Sequence, residues 1–145
     1  MTLFILLALV SLGVREVRAT SCDIVRINLA LGMTTQLMFE TAPTMTLHAD
    51  EEHFKIRSSA DAKRSIAIVP FVDQATIAQL TGQHVNGLSL SPALFAKKLD
   101  EALRTNLFVF FKNGSQFMFE MRFVEKSKAD YIVSVRQSFT KDCLL

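Results

Sequence analysis

The chain has 145 residues, with 16 Lys+Arg against 14 Asp+Glu, a formal charge of +2 and 50% hydrophobic residues. That length suits one domain with a modest core, and the composition is too apolar and too weakly charged for a disordered chain. The charge balance supplies no polycationic surface for nucleic acid, and two cysteines exclude a disulfide-dense miniprotein and a four-thiolate zinc site.

The first segment reads as an address. Leu3 to Val14 is a twelve-residue apolar run, too short for a membrane-spanning helix and matching the apolar region of a secretory signal. Val17-Arg18-Ala19 places a branched and a small residue at the −3 and −1 positions, which predicts a signal peptide over 1–19 cleaved after Ala19. No Lys or Arg precedes the apolar run, and Arg15, Glu16 and Arg18 make the cleavage region unusually charged. A lipoprotein signal ending at Ala19-Thr20-Ser21, with lipidation of Cys22, is the weaker reading of the same segment. Residues 20–145 are then one domain. Its two cysteines, Cys22 and Cys143, lie near its ends; they either pair in an oxidising compartment or stay as separate thiols.

Short apolar stretches between turn signals follow. Strands are predicted over 24–29, 34–39, 44–47, 54–57 and 65–69, separated by Gly32, by Pro43, by the polar turn His48 to His53 and by the loop Ser58 to Lys63. Asp73 caps a short helix over about 73–80 that stops at Gly82, and Asn86-Gly87 marks a turn. Ser91-Pro92 starts a second helix, about 91–104, whose apolar face carries Leu94, Phe95, Leu99, Ala102 and Leu103. Leu107 to Phe111 is a central strand, Asn113-Gly114 makes a hairpin turn, and Gln116 to Val124 alternates with Phe117, Phe119, Met121 and Phe123 on its buried face. Tyr131 to Val135 is the last strand. The sum is a mostly β fold with a minor helical part: a β-sandwich of seven or eight strands, one amphipathic helix and one short helix.

Catalytic chemistry lacks its usual signatures. His48 and His53 stand five apart around Asp50, Glu51 and Glu52, a pattern that reads as a solvated turn, and His84 is isolated. Gly87-Leu88-Ser89-Leu90-Ser91 lacks the second glycine of a nucleophile elbow, and no phosphate-cradling glycine loop is present. No catalytic, cofactor-binding or metal residue is therefore assigned, and the protein is expected not to be an enzyme. Six of the twelve phenylalanines fall between 108 and 123, more bulk than one buried face needs. Phe110 and Met118 are the candidates for meeting a partner, with core or helix cover as the competing assignment.

The stretch Thr105 to Val124, TNLFVFFKNGSQFMFEMRFV, resembles a recurring piece of bacterial envelope secretion proteins. It joins Thr105-Asn106-Leu107, an apolar strand, a turn with Asn113-Gly114, and an aromatic alternating strand. It looks most like the N-terminal domain of the periplasmic β-sandwich subunit of type IV secretion and conjugation core complexes, in the style of TraK-type and conjugative-transposon TraN proteins. The N-terminal domains of secretins use similar segments. Val25 to Phe39 and Phe54 to Pro70 look like the earlier strands of the same domain, whereas Phe71 to Arg104 looks like an insertion. Thr105 and Asn106 are expected to bond their own backbone where the strand begins.

The resemblance implies a non-enzymatic periplasmic structural or assembly component of a secretion or conjugation complex. Its partners would be other envelope subunits and copies of itself in an oligomer or ring, with no cofactor or nucleic acid, and with membrane association only through those partners. A small periplasmic binding, chaperone or inhibitor module, with the helix at 91–104 near the contact, is the alternative.

Overall fold

The computed structural model describes residues 13–82 and 90–138. Most of the apolar run Leu3 to Val14, the Asn86-Gly87 turn, His84 and Cys143 lie outside them, and with Cys143 so does the choice between its pairing to Cys22 and two separate thiols.

Alternating side chains become strands wherever one face can be buried. They form β1 (Val14–Thr20), β2 (Ile24–Leu29), β3 (Thr35–Phe39), β4 (Pro43–His48), β5 (Phe54–Ser58), β6 (Ser65–Pro70), β7 (Thr105–Phe111), β8 (Gln116–Phe123) and β9 (Ile132–Ser138). Two helices, α1 (Gln74–Thr81) and α2 (Pro92–Leu103), connect β6 to β7. The strands build a five-stranded sheet in the order β1-β9-β3-β6-β5 and a four-stranded sheet in the order β2-β8-β7-β4. The fold is thus the expected β-sandwich with a minor helical part. β7 is interior to its sheet, as expected from the apolar run Leu107 to Phe111. The turn into β8 rests on Gly114, whose φ of +82° suits a residue without Cβ, and on the Asn113 side chain, which accepts from the Ser115 backbone N–H at 3.0 Å.

The inner faces of both sheets supply the core: Ile27, Leu29, Leu37, Phe39, Ile68, Leu107, Val109, Phe117, Phe119, Met121 and Val133 are all buried. Phe39 bridges the sheets, 5.4 Å from the ring of Phe111 and 6.1 Å from that of Phe119, both edge-on. Phe54 meets Phe123 across the gap at 5.4 Å, with the rings tilted rather than edge-on.

Both helices begin where predicted, with Asp73 accepting from the Thr76 N–H at 2.6 Å and Ser91 from the Leu94 N–H at 3.2 Å. The packing face of α2 is rotated from the expected one. Ala96, Leu99 and Asp100 are buried and Phe95 and Leu103 pack on the core, while Leu94 and Ala102 face outward. The reason is Asp100, a charged residue that the apolar count leaves on the wet side but that ion pairs draw inward.

The largest difference lies at the start. β1 pairs in parallel with β9 over its whole length, from Val14↔Ile132 to Thr20↔Ser138. Cleavage after Ala19 falls inside this strand, which sequence reading takes for the tail of a signal. Arg15 holds β1 down: its Nε and Nη2 donate to the two carboxylate oxygens of Asp130 at 2.8 and 2.7 Å. Asp130 is buried and also accepts the Asn28 N–H at 2.8 Å, while its carbonyl accepts the Thr35 hydroxyl at 2.6 Å. One residue thereby ties β1, β2 and β3 to the base of β9.

Removing that carboxylate strands a cation and a backbone donor. Asp130→Ala is expected to lower stability by about 2–4 kcal/mol, the lower part of the range reflecting the partial exposure of Arg15. Equilibrium denaturant unfolding of the variant beside the parent checks this, and a loss below about 1 kcal/mol contradicts the tie.

Candidate functional site

Strand alternation sends every second side chain of the four-stranded sheet outward, away from the core. On β7 and β8 those residues include Asn106, Phe108, Phe110, Met118, Glu120 and Arg122. The register aligns them into rows. Ile24, Met118, Phe108 and Leu47 lie side by side across all four strands, because Ile24 pairs with Met118, Met118 with Phe108, and Phe108 with Leu47. Beside this row lie Met45, Phe110 and Gln116.

The result is a continuous apolar patch on the surface. Ile24 is 59% exposed, Leu47 56% and Met45 54%, while Phe108, Phe110 and Met118 are half-buried by one another. The two residues singled out from sequence, Phe110 and Met118, are both in it, each half-buried rather than enclosed in the core. Sequence reading missed Ile24, Met45, Leu47 and Phe108, because the rows exist only once the strand order is known.

The outer face of the five-stranded sheet differs in kind. Its corresponding row is Glu16, Ser134, Met38 and Ser65, with Arg18 beside Arg136 in another and an ion pair between Glu16 and Arg136. Among the described residues, an apolar row that crosses a whole sheet lies on one side of the sandwich.

A charged border closes the patch at one end. In the row beyond Met118, Arg26 lies opposite Glu120 at 3.4 Å, and Glu120 also meets Arg122 at 3.5 Å. Arg122 reaches Asp100 of α2 at 2.7 Å, and Arg104 donates to the same carboxylate at 2.8 Å. Asp100 also accepts the Phe123 N–H at 3.0 Å, which pins the start of α2's last turn to the end of β8. Burial raises the Asp100 carboxyl, but the hydrogen bonds from Arg122, Arg104 and Phe123 outweigh it and hold the group below the ordinary carboxylate range.

The motif residues take a different role from the expected one. The side chains of Thr105 and Asn106 make no hydrogen bond to their own backbone among the described residues. They line a shallow groove of about 440 Å³ with Leu47, His48, Arg104 and Phe108. Leu107 is buried in the core, and Asn113 and Gly114 form the hairpin turn at the far end of β7. The groove continues the apolar patch toward the Thr-Asn pair.

Elsewhere, an apolar cleft of about 450 Å³ lies between α2 and the chain around Leu31 and Val124, lined by Phe95, Ala96 and Leu99. His48 Nε2 lies 3.1 Å from the Phe54 carbonyl, and His53 Nδ1 lies 2.9 Å from Asp50, so both serve the turn that joins β4 to β5. Among the described residues no three of His, Cys, Asp and Glu gather as a metal site, and no helix is long and apolar enough to cross a membrane.

No family model matches the chain, and no curated protein matches it.

The Asp100 cluster makes a signed pH prediction. A depressed folded-state pKa contributes stability above the ordinary carboxylate pKa of about 3.9, lost as pH falls through the folded value. Asp100→Asn should be less stable than the parent at pH 7, by about 2 kcal/mol after allowing for the exposure of Arg104. The gap should narrow below pH 4. Urea titrations at pH 7, 4 and 2.5 measure it, and a gap that widens toward acid contradicts the assignment.

Proposed function

We propose that this chain is a non-enzymatic structural subunit of a bacterial envelope secretion or conjugation complex, exported to the periplasm and joined to its neighbours through the outer face of the four-stranded sheet. The observation that carries the reading is the apolar row Ile24–Met118–Phe108–Leu47, which spans a sheet from edge to edge on a solvent-facing side. Single exposed apolar residues need no explanation, but a contiguous patch of six large ones, of which Ile24, Met45 and Leu47 are more than half exposed, supports a contact surface.

Face contact suits this sheet better than edge contact at β4. That edge opens with Pro43, which has no N–H to give, and its register slips between Pro43 and Met45. Both features hinder a foreign strand from adding to it. The bordering charges Arg26, Glu120 and Arg122 would form the polar rim around an apolar centre, as in ordinary protein–protein interfaces. The resemblance of Thr105 to Val124 to envelope secretion subunits supplies the type of complex, and the N-terminal apolar run supplies the route out of the cytoplasm.

A second reading is a small periplasmic binding module that uses the cleft beside α2. The apolar lining of that cleft by Phe95, Ala96 and Leu99 favours it.

Variants separate the two. Phe108→Glu removes the centre of the patch without touching the inner face, so the fold should persist with its circular dichroism unchanged. Self-association, or co-purification with envelope partners, should fall at least tenfold, since one well-packed aromatic at an interface centre is worth about 2 kcal/mol. Ser127→Glu, at the exposed rim of the cleft beside α2, should leave assembly intact. Light scattering and affinity recovery from detergent-solubilised envelopes read both. Loss of partners with Ser127→Glu and not with Phe108→Glu supports the binding module instead.

A further inference from the structure

The charged border of the apolar patch shows one sign to an approaching molecule. Its carboxylates lie underneath and its arginines on top: Arg26 is 61% exposed against 24% for its partner Glu120, and Arg104 43% against 8% for Asp100. Lys112, in the hairpin turn at the far end of β7, is exposed as well. The face therefore has an apolar centre with positive charge at both ends. Two such faces pressed together would meet cation to cation in either orientation. A partner with exposed carboxylates around an apolar anchor suits the face better.

One corner of this chain has that composition. The turn Asp50 to His53 packs beside the connection that follows β6, where the Phe71 N–H donates to the His53 carbonyl at 2.7 Å. Phe71 comes directly after the buried end of β6 and is itself 56% exposed. The same two segments carry Asp50, Glu51, Glu52 and Asp73, against which Lys55 is the nearby cation, its Nζ donating to the Glu51 carbonyl at 2.9 Å. His53 Nδ1 holds Asp50 at 2.9 Å, and Asp73 caps α1. Glu51 and Glu52 are exposed, and among the described residues neither carboxylate joins an ion pair. Phe71 continues β6 of the five-stranded sheet, whereas the patch faces outward from the other sheet, across the core. The corner therefore cannot cover the patch of its own copy.

We propose that the patch receives the Phe71 corner of a second copy of this chain, the phenylalanine entering the apolar centre and Glu51 and Glu52 facing the exposed arginines. This rests on the reading of the patch as a contact surface and names its occupant. The contact joins two different surfaces, so a pair of copies keeps one open patch and one open corner. Association then continues head to tail until a ring closes or a filament grows.

The test is sedimentation velocity on the purified full chain. At about 100 µM, a concentration that saturates micromolar contacts, the parent should form species larger than a dimer. Phe108→Glu blocks the patch and Phe71→Ser the corner; neither side chain is in the core, so circular dichroism should be unchanged. Each variant alone should be a monomer, and an equimolar mixture should give a dimer with one copy of each and nothing larger. Leu47→Ser, at the exposed end of the row, repeats the patch arm if Phe108→Glu fails to fold. Glu51→Lys combined with Glu52→Lys should weaken the parent's association about tenfold in about 0.05 M salt and much less in about 0.5 M salt. Phe71→Ser associating as the parent does, a mixture that stays monomeric, or a charge reversal without effect at low salt overturns the inference. A monomeric parent that still recovers envelope subunits through Phe108 overturns it and leaves the proposed function standing. A monomeric parent whose envelope recovery is indifferent to Phe108→Glu overturns both.

Discussion

Asp130 holds the sandwich together where hydrophobic contact cannot. Its carboxylate takes the Arg15 fork from β1 and the Asn28 N–H from β2, and its carbonyl takes the Thr35 hydroxyl from β3. β1 and β3 belong to one sheet and β2 to the other, so this single residue spans the gap at the base of β9. Both neighbours of β9 run parallel to it, and parallel pairs cannot be set by a tight hairpin. Their register has to come from contacts of large sequence separation, which the Arg15–Asp130 and Thr35–Asp130 bonds provide. The aromatic contacts among Phe39, Phe111 and Phe119 then fill the space that these bonds have squared.

The same geometry decides what the surface offers. With the inner residues of β7 and β8 committed to the core, the outer ones could have been polar, as most are on the five-stranded sheet. Instead Phe108, Phe110 and Met118 extend a patch that Ile24, Met45 and Leu47 complete from both edges. Asp100 fixes one border of it by joining α2 to Arg122 and to the Phe123 N–H. The segment connecting β6 to β7 thus braces the end of the sheet that carries the patch.

Much of the fold was legible in the sequence where side chains alternate or cap. Phe117, Phe119, Met121 and Phe123 announce a strand with one buried face, and Asp73 and Ser91 announce their helices by the bonds they make. β1 was not legible, because Val14, Val17 and Ala19 continue an apolar run and satisfy a cleavage pattern as well as they satisfy a strand. Asp100 was not legible because its partners Arg104 and Arg122 come from different elements, so no local count places it inward. The surface patch was half legible: an excess of aromatic bulk pointed to Phe110 and Met118, but the row through Ile24 and Leu47 depends on β2 and β4 flanking β8 and β7. The polar bonds expected of Thr105 and Asn106 gave way to a groove shared with Leu47 and Phe108.

The most direct measurement of the contact surface is site-specific photo-crosslinking in native envelopes. A photoreactive phenylalanine analogue replaces Phe108, and a second protein carries the same analogue at Met38 on the outer face of the other sheet. Assembly through the four-stranded sheet predicts discrete adducts from position 108, to further copies of this chain or to envelope subunits, and few from position 38. No adducts from position 108, or equal labelling from both faces, would contradict it.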